Sequence, residues 1–350
     1  MSKAVPWPSV RLGLSQAGRF SEGGSVTVAV VDTGVSAAAS ALSGAVAAGV
    51  DLTAPGRGRA DGDCAGRGTF VAGIVAARPR DGSGFAGVAP AARILPVRVT
   101  PTEDLVAADV LAAGISAAVD RGASVVAVTA SSVADSPALR TAVLDALRRN
   151  ALVVAPATTQ AARNRPAPAF PAHYEEVLAV TALGVNGASA ATGESRVDLA
   201  APGADGVVSL APAGDGHVTS SGDEVAAAFV AGAAALLRSY RPELSAAAVR
   251  QRLLDTADRA VGPGFGAGVV DPDRALTEVL SPDGGGRPAS PAERMPRLAE
   301  PPAAPVSPLW TVLPVAGGVA AVLAIAGTAA FVVRRRRPAR AHPRTPSGSG

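Results

Sequence analysis

Residues 26–35 read VTVAVVDTGV. From Val26 to Val31 the run is apolar or β-branched without alternation, the pattern of a strand buried on both faces. An acid, Asp32, closes it, and Thr33 and Gly34 then turn the chain. Four runs of the same kind follow: RILPVRV (93–99), SVVAVTA (124–130), LVVAPAT (152–158) and VLAVTAL (177–183). Alanine-rich amphipathic stretches, EDLVAADVLAAGISAAVDRG (103–122) and SPALRTAVLDALRRN (136–150), separate them and are predicted as helices. Such alternation predicts an α/β domain over residues 1–280, with three layers around a central, mostly parallel sheet. In open α/β sheets, sites form at the carboxyl ends of strands, so Asp32 is the first candidate functional residue. The plain alternative is a turn aspartate.

Composition limits what this domain does. Apolar residues make up 48% of the chain and aromatics only 3%, so the core is expected to be built from Ala, Val and Leu. The net charge is +3, and much of the positive excess sits in RRRRPARAHPR (334–344), which leaves no basic domain face for nucleic acid. With one cysteine, Cys64, there is no internal disulfide; the thiol is either buried or free.

Beyond residue 280 the character changes. Residues 281–309 are rich in Pro, Gly and charge without apolar periodicity, the composition of an extended linker. Residues 310–333, WTVLPVAGGVAAVLAIAGTAAFVV, carry no charge and are long enough to cross a hydrocarbon core of about 30 Å, so a transmembrane helix is expected. Arg334 to Arg337 begin a basic tail, 334–350, that the positive-inside rule keeps cytoplasmic, with the large domain outside. The segment MSKAVPWPSVRLGLSQAGRF lacks the apolar core of a secretion signal. A start assigned too late accounts for this; a tail-anchored protein with a cytosolic domain is the alternative.

Three segments carry a resemblance. VAVVDTGV (28–35), GRGTFVAGIVAA (66–77) and SGDEVAAAFVAGAAALLR (221–238) stand in the order and surroundings of the Asp, His and Ser motifs of the subtilisin-like serine proteases. LPVRV (95–99), VDLAAPG (197–203), RPELSAAAVRQRLLDTA (241–257) and GAGVVDPDRAL (266–276) extend the match. Within that family the chain looks most like the mycosins, membrane-anchored proteases of type VII secretion in actinobacteria. The features shared with them are the opening PWPSVRLGL (6–14), the D-C-x-G run, the linker and the apolar C-terminal segment. The resemblance implies a subtilisin-like fold, association with type VII secretion membrane components and a cleft for peptide segments. It also implies a disulfide partner for Cys64, which this chain lacks.

The departures concern the chemistry. Asp32 holds the family's aspartate position, but Arg67 stands at the histidine position, Glu224 at the serine, Asp223 at the preceding threonine and Ala228 at the proline. Thr158 or Thr159 falls at the oxyanion-hole asparagine, depending on alignment. Serine-protease chemistry needs an attacking hydroxyl and a base of near-neutral pKa. Arginine keeps its proton, and a carboxylate is a poor nucleophile toward an amide. Losing the triad costs roughly 10⁶-fold in turnover, and losing an oxyanion donor about another 10²–10³-fold. The expectation is a proteolytically inactive homologue; the alternative is an endopeptidase that works with noncanonical residues.

Two structural roles are open for the substituted positions. Arg67 has the donors to bridge Asp32 and Glu224 as an ionic triad. Ser221-Gly-Asp-Glu224 also fits a capping box at the head of the apolar run 225–237. Of the three histidines, His217 lies near Thr219, Ser220 and Ser221 but is read as a surface or turn residue, His173 as structural, and His342 is in the tail. Asp61 and Asp63 are read as a solvated turn. No phosphate-binding glycine loop follows a strand, and neither a metal nor a cofactor is expected.

Overall fold

The computed structural model describes residues 3–54, 56, 58–103, 105–159, 167–191, 195–259 and 264–280. Eleven strands are β1 (Thr27–Asp32), β2 (Val50–Asp51), β3 (Arg93–Arg98), β4 (Val125–Val128), β5 (Leu152–Pro156), β6 (Thr158–Thr159), β7 (Ala167–Pro168), β8 (Leu178–Leu183), β9 (Leu199–Pro202), β10 (Val207–Leu210) and β11 (His217–Ser220). The helices are α1 (Trp7–Arg11), α2 (Leu14–Ala17), α3 (Arg67–Ala76), α4 (Ala108–Asp120), α5 (Pro137–Arg148), α6 (Asp223–Tyr240), α7 (Ala246–Asp255) and α8 (Pro272–Thr277).

Seven strands form one sheet in the order β2-β3-β1-β4-β5-β8-β9, with every pairing parallel. Each of the five runs read from the sequence supplies one of these strands. The absence of alternation has the cause expected. Val28 and Val30 of β1 face a core layer shared with α3, α6, α7 and α8, while Ala29 and Val31 face a second layer under α4 and α5. Parallel strands covered by helices on both faces favour apolar side chains at successive positions. Helix α6 is apolar nearly all round because it is buried nearly all round, from Val225 to Leu237.

The order reverses at β1, which has β3 on one side and β4 on the other. Such a switch point opens a crevice at the carboxyl ends of the strands. Asp32 is the last residue of β1, aligned with Arg98 of β3, and Thr129 lies one residue beyond the paired end of β4.

One boundary differs from the sequence reading. The helix expected over 103–122 begins at Ala108, so Glu103 belongs to the exposed connection after β3. Among the described residues no helix is long and apolar enough to cross a membrane. The linker 281–309, the apolar segment 310–333 and the tail 334–350 lie outside the described residues.

Candidate functional site

The crevice brings together the carboxyl end of β1 and the first turns of α3 and α6. Two glycines let α3 approach so closely. Gly66 precedes the helix at φ 95°, a left-handed conformation costly for other residues. Gly68 packs onto the β1 turn so tightly that a Cβ there would sit 1.9 Å from the Gly34 carbonyl oxygen.

The helix has no side-chain cap at Gly66, and Asp63 and Thr33 take that role. The Asp63 carboxylate accepts from the Gly66 N–H (2.8 Å), the Thr69 N–H (2.8 Å), the Thr69 hydroxyl (2.6 Å) and the Thr33 hydroxyl (2.9 Å). Thr33 Oγ1 in turn accepts from the Gly68 N–H at 3.0 Å. The expectation of a solvated turn is therefore wrong for Asp63, which is buried and holds the head of α3. Asp61 is partly exposed and pairs with Arg59. Cys64 is free and exposed.

Arg67, the first residue of α3, turns its guanidinium onto Asp32. Its Nε donates to Oδ1 at 2.9 Å and Oδ2 at 3.0 Å, and Nη1 donates to the Glu103 backbone carbonyl at 2.8 Å. Asp32 is fully buried and also accepts from the Thr33 N–H (2.7 Å) and the Thr129 hydroxyl. Burial works against the Arg67 charge, yet the carboxylates of Asp32, Glu224 and Glu103 raise its pKa above the ordinary arginine value. This side chain cannot accept a proton.

The ionic triad forms only on one side. Arg67 pairs with Asp32, and no ion pair links Arg67 to Glu224. The Glu224 carboxylate instead folds back over Gly222, where both its oxygens lie 2.3 Å from the place a Cβ would take. The capping box does not form either. Gly222 is the N-cap of α6 without a side-chain bond, and Ser221 Oγ accepts from the Gly206 N–H at 3.0 Å. The two acids do occupy the first helical turn, where the helix dipole favours them. Burial foremost, with the neighbouring Asp223 and Asp32 charges, raises the Glu224 pKa to about 7 against the pull of its own N–H and of Arg67.

Asp223 is more deeply fixed. It is 4% exposed, and four donors converge on its carboxylate: the Thr158 N–H (3.0 Å), the Thr158 hydroxyl (2.6 Å), the Ala182 N–H (2.6 Å) and the Thr181 hydroxyl (3.3 Å). Burial raises its pKa, and the hydrogen bonds offset part of that. Of the two candidates Thr158 and Thr159, Thr158 turns its hydroxyl toward the start of α6. That hydroxyl is committed to Asp223.

The sequence reading did not find the Asp223 anchorage, the Asp63 cage or the Thr129 contact to Asp32. Thr129 had a signal, since it follows the strand next to β1. His217 packs edge-on against Phe85 with ring centroids 5.4 Å apart, and His173 packs against Phe170 at the same separation. Neither joins the crevice.

A parallel sheet with an acid at its switch point, faced by the first turns of two helices, is the frame of a subtilisin-like hydrolase. The model of the subtilase family, Peptidase_S8, matches residues 23–277, and the chain belongs to that family. Within it the chain is mycosin-related. Mycosin-3 of Mycobacterium tuberculosis is 34% identical over 95% of this chain and 85% of its own length. Thermitase of Thermoactinomyces vulgaris is 35% identical over 71% of this chain and 87% of its own. The solved structure of MycP3 protease from the type VII (ESX-3) secretion system superposes with a TM-score of 0.69 at 32% identity, covering 79% of this chain and 89% of that one.

Proposed function

We propose that this protein is a proteolytically inactive mycosin homologue that serves as a structural or peptide-holding component of a type VII secretion system. In this reading the domain 1–280 is tethered by the linker 281–309 to a transmembrane segment 310–333, faces outward, and leaves the tail 334–350 in the cytoplasm. The observation that carries the inactivity is the Arg67–Asp32 pair at 2.9 and 3.0 Å. The acid that would orient a catalytic base holds a permanent cation instead. The fates of the other roles support the same reading, because a carboxylate replaces the nucleophile and Thr158 has no hydroxyl to give to an oxyanion. Relatedness to mycosins, one of them a protease described as part of a type VII system, supports the secretion assignment.

A second reading, peptide hydrolysis with noncanonical residues, has one observation in its favour. Burial raises the Glu224 pKa to about 7, within the range useful to a general acid–base group. Both readings are tested by incubating the purified full chain with a fluorophosphonate probe and with casein. No labelled serine and no cleavage are expected; labelling of a single serine, or cleavage abolished by Glu224→Gln, would overturn inactivity. Protease accessibility of the domain in intact cells tests its outward placement.

A further inference from the structure

Arg67 has a second partner besides Asp32. Its Nε rests on Asp32 at the end of β1, while Nη1 extends to the carbonyl of Glu103 on the exposed connection between β3 and α4. Among the described residues no other donor meets that carbonyl. The third nitrogen, Nη2, is buried without a partner. A guanidinium that satisfied only Asp32 would present two nitrogens to it in a fork. This one meets Asp32 through Nε alone and gives Nη1 to the connection between β3 and α4.

An extended peptide docking along exposed backbone binds through edge carbonyls and N–H groups, the mode of strand addition. The Glu103 carbonyl is such an acceptor, and Arg67 occupies it. We propose that Arg67 is an internal latch, which by spanning from Asp32 to the Glu103 carbonyl closes the crevice to an extended peptide until that bond is released. This rests on the non-catalytic reading and sharpens it: the crevice is a self-occupied peptide receptor. The latch stands on two anchors of unequal strength. The Asp32 contact is buried and charge-assisted, whereas the Glu103 contact lies at the exposed surface with a neutral acceptor. Release therefore means losing the Glu103 end while Arg67 stays on Asp32.

The test uses the full chain and a fluorescein-labelled Ala-Ala-Pro-Phe amide followed by fluorescence anisotropy. Arg67→Ala removes the latch. Arg67→His serves as the second variant should the first fail to fold, because an imidazole can keep a bond to Asp32 but is too short to reach Glu103. Relative to the parent, affinity for the peptide is expected to rise roughly 10- to 100-fold, the range of one hydrogen bond to a charged group. Amide exchange over residues 99–103 is expected to accelerate in both variants. Equal affinity in parent and variants, no binding by the folded variants at millimolar peptide, or unchanged exchange would each overturn the latch. Cleavage of the peptide by the parent would overturn the non-catalytic reading instead, so the two failures are told apart.

Discussion

Glu224 offers the sharpest quantitative test of the reorganised site. Its carboxyl group ionises near 4.5 when the chain is unfolded and at about 7 when it is folded. The folded state therefore binds the proton more tightly, and between these values it carries more protons than the unfolded state. Stability must fall as pH rises through this window, with the group's full favourable contribution present below about 4.5 and gone above about 7. One pKa unit corresponds to about 1.4 kcal/mol, so the shift is worth on the order of 3 kcal/mol. Glu224 is partly exposed, which makes this an upper bound. Glu224→Gln keeps the shape and cannot ionise. Urea unfolding of both proteins, followed by circular dichroism from pH 4 to 8.5, isolates the effect, since titrating groups not coupled to Glu224 cancel in the difference. The variant should gain on the parent by up to about 3 kcal/mol between the ends of that range. A difference that stays flat with pH would refute the placement of Glu224 in a partly buried, acid-rich setting.

Three other outcomes follow from the same contacts. Arg67→Ala leaves Asp32 buried and unpaired and should cost about 3–5 kcal/mol in urea unfolding; Arg67→Ala with Asp32→Ala should cost less than the single change, and a strictly additive cycle would show that the pair is not coupled. Asp223→Ala strips a common acceptor from the buried N–H groups of Thr158 and Ala182, with an expected loss of about 2–4 kcal/mol and faster amide exchange at both. Restoring Arg67→His and Glu224→Ser should leave peptide hydrolysis at least 10²-fold below that of a protein that also carries Asp223→Thr and Thr158→Asn, because the oxyanion donor is still missing; equal activity of the two would refute that role for Thr158 and Asp223.

Most of the frame was legible in the sequence because its signals are local. Unbroken apolar runs such as Val26 to Val31 have only one stable use between helices, and the glycines beside Arg67 mark a close approach whatever the side chain between them does. The failures share a different cause. The capping box at Ser221 and Glu224 is a pattern within four residues, yet Ser221 is taken by Gly206, fifteen residues earlier in the chain. Asp63 looks like any turn acid until Thr33, thirty residues before it, is folded against it. The placement of Glu224 over Gly222 rather than on Arg67 likewise depends on where Arg67 finds its other partners. Polar contacts at long sequence separation carry no periodicity, and so pattern reading misses them.

The long-range contacts also bear on the proposed loss of the catalytic roles. Loss of catalysis by drift predicts substitutions that leave buried polar groups unmatched, since nothing then selects for their partners. At Arg67 and Asp223 the opposite holds. Arg67 neutralises the buried Asp32, which would otherwise be an isolated charge. Asp223 gathers four donors from β6 and β8 and fastens the head of α6 to the sheet. These acids and this cation tie β1, α3 and α6 to the sheet. Glu224 combines a pKa raised to about 7 with a carboxylate that forms no ion pair with Arg67, so a pH response of the crevice near neutrality is expected to run through it. A site tied together by buried polar contacts is the arrangement expected of the proposed scaffold, and its exposed contact is the one where Arg67 meets Glu103.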